Sequence, residues 1–138
     1  MPFARLFLVA VALCASSCLP SEDDATTTFK DDLRFGTGLG GNGFQLVGES
    51  ETFTKATTSM LTFRLESSAN FEGRFVRLYF DGLTNKDFAA CANPDAHICL
   101  SSFPTVNPGT YTVKAYLVKT TVDIGKETFV ASRTITVN

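Results

Sequence analysis

Residues 108–118, Pro-Gly-Thr-Tyr-Thr-Val-Lys-Ala-Tyr-Leu-Val, constrain the fold more than any other stretch of the chain. A Pro-Gly turn leads straight into strict alternation, with Tyr111, Val113, Ala115 and Leu117 on one face and Thr110, Thr112, Lys114 and Tyr116 on the other. A period of two, carried by β-branched and aromatic residues, describes a half-buried strand and does not fit an amphipathic helix. The pattern recurs twice upstream. Leu61, Phe63 and Leu65 alternate with Thr62, Arg64 and Glu66, and Val76, Leu78 and Phe80 alternate with Arg77, Tyr79 and Asp81.

One long strand or a strand pair is expected over Phe44–Phe53, with a bend or bulge at Gly48, and a terminal strand over Phe129–Val137. In the last of these Arg133 shares a face with Ile135 and Val137, so either Arg133 sits at a bulge or the inward face switches near Ala131 and Ser132. Residues 84–107 break the pattern and read as the longest connection, interrupted by one short apolar stretch, Ile98–Phe103. About seven strands with turn signals between them and no helical period predict an all-β antiparallel sandwich. The Gly109-x-Tyr111-x-Val113-x-Ala115 pattern resembles the corner strand of immunoglobulin-like domains. That resemblance implies an immunoglobulin-like sandwich over residues 33–138. The chain has no Trp, the core residue of antibody domains, so the kinship is to the wider sandwich class.

The amino end carries a different signal. Arg5 precedes the uncharged apolar run Leu6–Ala15, which is too short to span a bilayer and reads as an export signal. Ala15-Ser16-Ser17-Cys18 resembles a bacterial lipobox with Ala15 in place of the commoner Leu. The resemblance implies a signal peptide over residues 1–17 and a mature chain of 121 residues that begins at a lipidated, palmitate-bearing Cys18. Several acyl chains would hold such a protein firmly on a membrane. Leu19 after the lipid-bearing cysteine resembles lipoproteins sent to the outer membrane.

Residues 18–32 read as a lipidated, disordered tether: between Leu19 and Asp32 five acids face only Lys30. Residues 33–138 are nearly neutral, with ten Lys or Arg against nine Asp or Glu. This balance lacks the basic footprint of a nucleic-acid binder.

Four cysteines divide into Cys14 and Cys18 in the export region and Cys91 and Cys99 in the domain. In an oxidising compartment the second pair is expected to form a disulfide, which would stabilise the domain by about 2–3 kcal/mol. Cys91, Asp95, His97 and Cys99 also fall within nine residues and could in principle ligate zinc, but the oxidising compartment opposes free thiolates and the spacing fits no common finger. No metal or cofactor is therefore expected. The Gly36–Gly43 run contains a G-x-G-x-x-G string, yet it leads into a strand pattern rather than a helix and reads as turns, with Asn42-Gly43 as a hairpin signal.

His97 is the only histidine, and no nucleophile elbow is present, so the chain does not read as an enzyme. Candidate binding residues are Tyr79 and Tyr116 on the wet faces of two strands, flanked by Arg77 and Lys114, together with Asp95 and His97 in the irregular segment. The expected function is a non-catalytic envelope module that engages a protein, or alternatively a polysaccharide, while the Cys18 lipid engages the membrane.

Overall fold

The computed structural model describes residues 28–41, 43, 45–71, 73–81, 83, 86–88, 96–119 and 126–138. Cys18 with the whole export segment, Cys91 and Asp95 lie outside these residues. The described chain is all-β. No helix in it is long and apolar enough to cross a membrane.

The organising strand is β9 (Gly109–Val118), which pairs along nearly its whole length with β10 (Thr128–Val137). Eight more strands precede them: β1 (Asp32–Gly36), β2 (Gly38–Leu39), β3 (Leu46–Val47), β4 (Thr52–Phe53), β5 (Met60–Glu66), β6 (Phe75–Phe80), β7 (Lys86–Phe88) and β8 (Ile98–Pro104). Two sheets carry the core, a three-stranded one in the order β1-β5-β8 and a five-stranded one in the order β4-β10-β9-β6-β7. Every pairing is antiparallel except β4 with β10, which is parallel.

The alternation sorts side chains as the period of two requires. Leu61, Phe63, Leu65, Val76, Leu78, Phe80, Tyr111, Val113, Ala115 and Leu117 are all buried. They meet Leu33, Phe35, Phe103, Ile135 and Val137 in one apolar cluster drawn from both sheets. Phe103 of β8 links them, edge-on to Phe80 at 5.6 Å and to Phe35 at 6.4 Å. Each such side chain contributes about 1.5–3 kcal/mol of transfer free energy, which makes this cluster the main source of stability.

At the start of β9 the Tyr111 hydroxyl donates to the Asn107 carbonyl at 2.8 Å. Gly109 makes the approach possible. Its φ is +155°, and a Cβ there would stand 3.1 Å from the Tyr111 hydroxyl oxygen.

The structure departs from the sequence reading in two places and decides two alternatives that the sequence leaves open. Residues 84–107 are not one long connection: they contain β7 and β8, and β8 pairs with β5 over seven residues. The alternation was hidden because the inward positions of β8 include Cys99 and the small Ser101, while Ile98 and Leu100 point the other way. Of the alternatives for Phe44–Phe53, one long strand or a pair bent at Gly48, the structure shows the pair. Gly48 turns the chain at φ +63°, and β3 pairs with β2 while β4 joins β10 in the other sheet. The β2–β3 hairpin closes the glycine run as expected, with Gly40 N–H donating to Gln45 O.

The folded part also begins before residue 33. Asp32 pairs with Glu66 in the β1–β5 ladder, the Asp31 carboxylate accepts from the Ser68 N–H at 2.8 Å, and Phe29 stacks on His97. The end of the acidic stretch is therefore docked rather than free, because Asp31 accepts from a backbone donor of the domain and Asp32 pairs with Arg34 and Arg133. Finally, the β10 irregularity lies between Phe129 and Ala131, so that Val130 and Ala131 are both buried and Arg133 stays on the inward side. Arg133 is accommodated by its length: it reaches the rim and donates to Leu33 O, Glu51 and Asp32 at 2.9, 3.0 and 3.1 Å.

Candidate functional site

The outer face of the five-stranded sheet collects the aromatic residues that the alternation turned away from the core. Tyr79 of β6 and Tyr116 of β9 meet edge to face at 5.2 Å and 81°. Tyr116 meets Phe129 of β10 in the same manner at 5.5 Å and 68°. The register explains the cluster, since Tyr116 is paired with Phe129 on one side and Arg77 on the other, and Lys114 is paired with Tyr79. Edge-to-face pairs of this kind add about 0.5–1.5 kcal/mol each beyond the area they bury. Each ring therefore holds its neighbour in place.

Arg77 does not supply a free donor to this face, contrary to expectation. It is only 4% exposed, and its guanidinium donates to Glu127 at 2.7 Å. The Tyr79 hydroxyl donates to the same carboxylate. Burial pushes the Tyr79 phenol above its ordinary value, and its bond to the Glu127 carboxylate pushes it further, because both favour the protonated form. Glu127 is the residue that sequence reasoning missed. It stands in the reversal between β9 and β10, where no motif marks it, and only the burial of an arginine would have demanded such a partner.

The tyrosines border an open depression of about 480 Å³, lined by Tyr79, Phe80, Asp81, Leu83, Lys114, Tyr116 and Glu127. Lys114 and Asp81 are both exposed. Neither forms an ion pair among the described residues. Four of the predicted residues, Arg77, Tyr79, Lys114 and Tyr116, therefore come together on this face, with Arg77 as its buried support.

His97 lies elsewhere. It precedes β8 at the end of the three-stranded sheet, where its N–H partner group and carbonyl are both engaged: its Nδ1 is 2.8 Å from Ser67 O, and Ser67 N–H donates to His97 O at 2.9 Å. Its ring is stacked flat on Phe29, with centroids 4.3 Å apart and planes 6° from parallel. These are packing contacts. Cys99 is fully buried and disulfide-bonded, which removes the thiolate a metal site would have required. Cys91, its expected partner, and Asp95 fall outside the described residues.

Comparison with known protein families, curated proteins and solved structures gave no match.

Proposed function

We propose that this protein is a non-catalytic lipoprotein of the cell envelope whose immunoglobulin-like domain recognises its partner through the outer face of the five-stranded sheet. The immunoglobulin-like reading is supported by the packing of a β1-β5-β8 sheet against a β4-β10-β9-β6-β7 sheet, and by the Tyr111 hydroxyl that returns to the backbone four residues upstream. The membrane address is supported by the apolar run Leu6–Ala15 followed by Ala15-Ser16-Ser17-Cys18.

The observation that carries the recognition reading is the ring series Tyr79–Tyr116–Phe129 beside a groove with unpaired Lys114 and Asp81. A sheet face that served only as a solvated exterior would not need three interlocked aromatic rings. Pre-set rings of this kind lose little side-chain entropy when a partner docks.

Two experiments test the proposal. Cells fed labelled palmitate should label the wild type and not Cys18→Ser; label that survives the substitution removes the lipid anchor. Crosslinking in intact cells from a photoreactive residue placed at Phe129 should yield a discrete adduct, whereas placement at Gln45 on the β2–β3 hairpin should not. Equal yields at both positions would remove recognition from this face. The second reading, a polysaccharide ligand rather than a protein, is favoured by the chemistry of the same face.

A further inference from the structure

We infer that the outer face of β6, β9 and β10 binds a neutral oligosaccharide that runs along the strands. The inference rests on the proposal that this face is the recognition surface, and it adds the class of ligand.

The face is built in four cross-strand rows. Phe129, Tyr116 and Arg77 form the first, Ser132, Lys114 and Tyr79 the second, Thr134 and Thr112 the third, and Thr136 and Thr110 the fourth. Rows lie two residues apart along the strands, about 6.6–6.8 Å each, so the series extends about 20 Å. One half is aromatic. The other half is hydroxyl, with Thr112 and Thr134 at 3.3 Å and Thr110 and Thr136 at 3.1 Å. Between them the groove presents Lys114 and Asp81.

A sugar ring is apolar on its C–H face and bears hydroxyls around its edge. The C–H face suits the Tyr116 and Phe129 rings, which their edge-to-face contacts already hold in place. The hydroxyls suit Lys114 and Asp81, because a hydroxyl can accept from the ammonium and donate to the carboxylate. Such charge-assisted bonds are roughly twice as strong as neutral ones. Unionised polyols satisfy both groups at once, which no ligand with a single kind of hydrogen-bonding group does.

Charge decides against polyelectrolytes. Glu127 is already neutralised by Arg77, so an anionic chain would gain Lys114 but meet the Asp81 carboxylate in the same groove, and a cationic one would gain Asp81 but meet Lys114. A protein partner fits less well, since interfaces gain affinity from a desolvated apolar centre, and among the described residues of this face only Phe129 is a large hydrophobic more than half exposed. The hydroxyl rows would leave such an interface with many polar groups to satisfy.

The test is titration of the exported, folded protein with hexasaccharides of glucose, mannose and N-acetylglucosamine, alongside a uronic-acid hexasaccharide of equal length. At least one neutral probe should bind, at least tenfold more tightly than the uronate. Tyr116→Ala should weaken it tenfold or more, and Lys114→Ala and Asp81→Asn three- to tenfold each. The last two side chains are exposed, so their loss leaves the urea midpoint unchanged and separates binding from folding. Gln45→Ala should bind as wild type. Preference for the uronate, or no effect of Lys114→Ala and Asp81→Asn, overturns the inference. If no saccharide binds while a Phe129 crosslink still captures a protein, the ligand class is wrong and the recognition face stands. If neither occurs, both fall.

Discussion

Substitution of Tyr111 by Phe isolates one contact that joins the sequence pattern to the fold. The ring is 9% exposed and packs edge-on to Phe80 at 6.2 Å, so removal of the hydroxyl alone should leave the core filled. What is lost is one 2.8 Å bond to the Asn107 carbonyl. An intramolecular hydrogen bond contributes about 0.5–1.5 kcal/mol net, and Asn107 is exposed, so water can replace the lost donor and the cost should stay near 1 kcal/mol. For a domain near this size that is about 4–8 °C in Tm. Tyr111→Ala, which also empties the ring site, should cost about 3–5 kcal/mol.

A second arm uses Gly109→Ala, where a φ of +155° costs any other residue about 1–3 kcal/mol and the new Cβ would press on the Tyr111 hydroxyl. With that oxygen absent the shortest contact is relieved while the ring carbons at 3.2 and 3.4 Å remain, so the double variant should be more stable than the two single losses predict by about 0.5 kcal/mol. Urea unfolding followed by fluorescence or circular dichroism measures all four proteins, and the m-value should not change among them. A Tyr111→Phe loss below about 0.3 kcal/mol would refute the idea that the hydroxyl fixes this corner. Strict additivity with Gly109→Ala would refute the contact between them.

Glu66 ties the start of the domain to pH. The Lys30 backbone N–H beside its carboxylate, helped by the Arg64 guanidinium at 2.8 Å, holds Glu66 below its usual value against the opposing effect of burial. A lowered folded pKa means that its contribution is fully present above the unfolded value of about 4.3 and is lost as pH falls through the folded one. The urea midpoint of Glu66→Gln should therefore lie below that of wild type at pH 7, and the two should converge toward pH 3; a constant gap would show that ionisation is not the cause. Cys99 offers a separate check, because loss of its disulfide should cost about 2–3 kcal/mol. Mass spectrometry of the exported protein should find no free thiol at Cys99, and Cys99→Ser should shift the urea midpoint down at unchanged m-value. Two free thiols at Cys91 and Cys99 would exclude the bridge.

Where one face of a strand is buried and the other wet, the alternation itself names the core, which is why Leu61 to Leu65, Val76 to Phe80 and Tyr111 to Leu117 could be assigned inward from the chain alone. The pattern fails where burial is achieved with small or mixed residues. In β8 the run Cys99-Leu100-Ser101-Ser102-Phe103 carries too little contrast to reveal a seven-residue strand. Strands of two residues, such as β3 and β4, are too short to show any period. For the site, the aromatic pair Tyr79 and Tyr116 was legible because both fell on outward positions of well-marked strands. Arg77 shared that parity but not that exposure, and the partner that balances its buried charge, Glu127, lies fifty residues away in sequence. Long-range ion pairs leave no local trace.

The place where the tether meets the domain bears on which surface can be used. Phe29 stacks on His97, Lys30 N–H donates to Glu66, and Asp31 accepts from Ser68, so the chain leaves the domain at the end that carries residues 67–71 and 96–98. The opposite end carries residues 54–59, 105–109 and Asn138, joined by Lys55 N–H to Asn138 O and Thr105 N–H to Ser59 O. Were Cys18 lipidated as proposed, the ten residues to Thr28 would reach at most about 35 Å, and the His97 end would be the part of the domain nearest the anchor. A partner that needed the loops at that end would compete with the bilayer for space. The groove of Asp81, Lys114 and Tyr116 opens on the side of the sheet, and its Asp81 and threonine rows run toward the distal end, since Phe80 pairs with Val113 and Gly109 with Val137. On the proposed anchoring, a long polymer could follow this face without displacing the anchor, so the sheet face suits the proposed recognition better than the His97 end does.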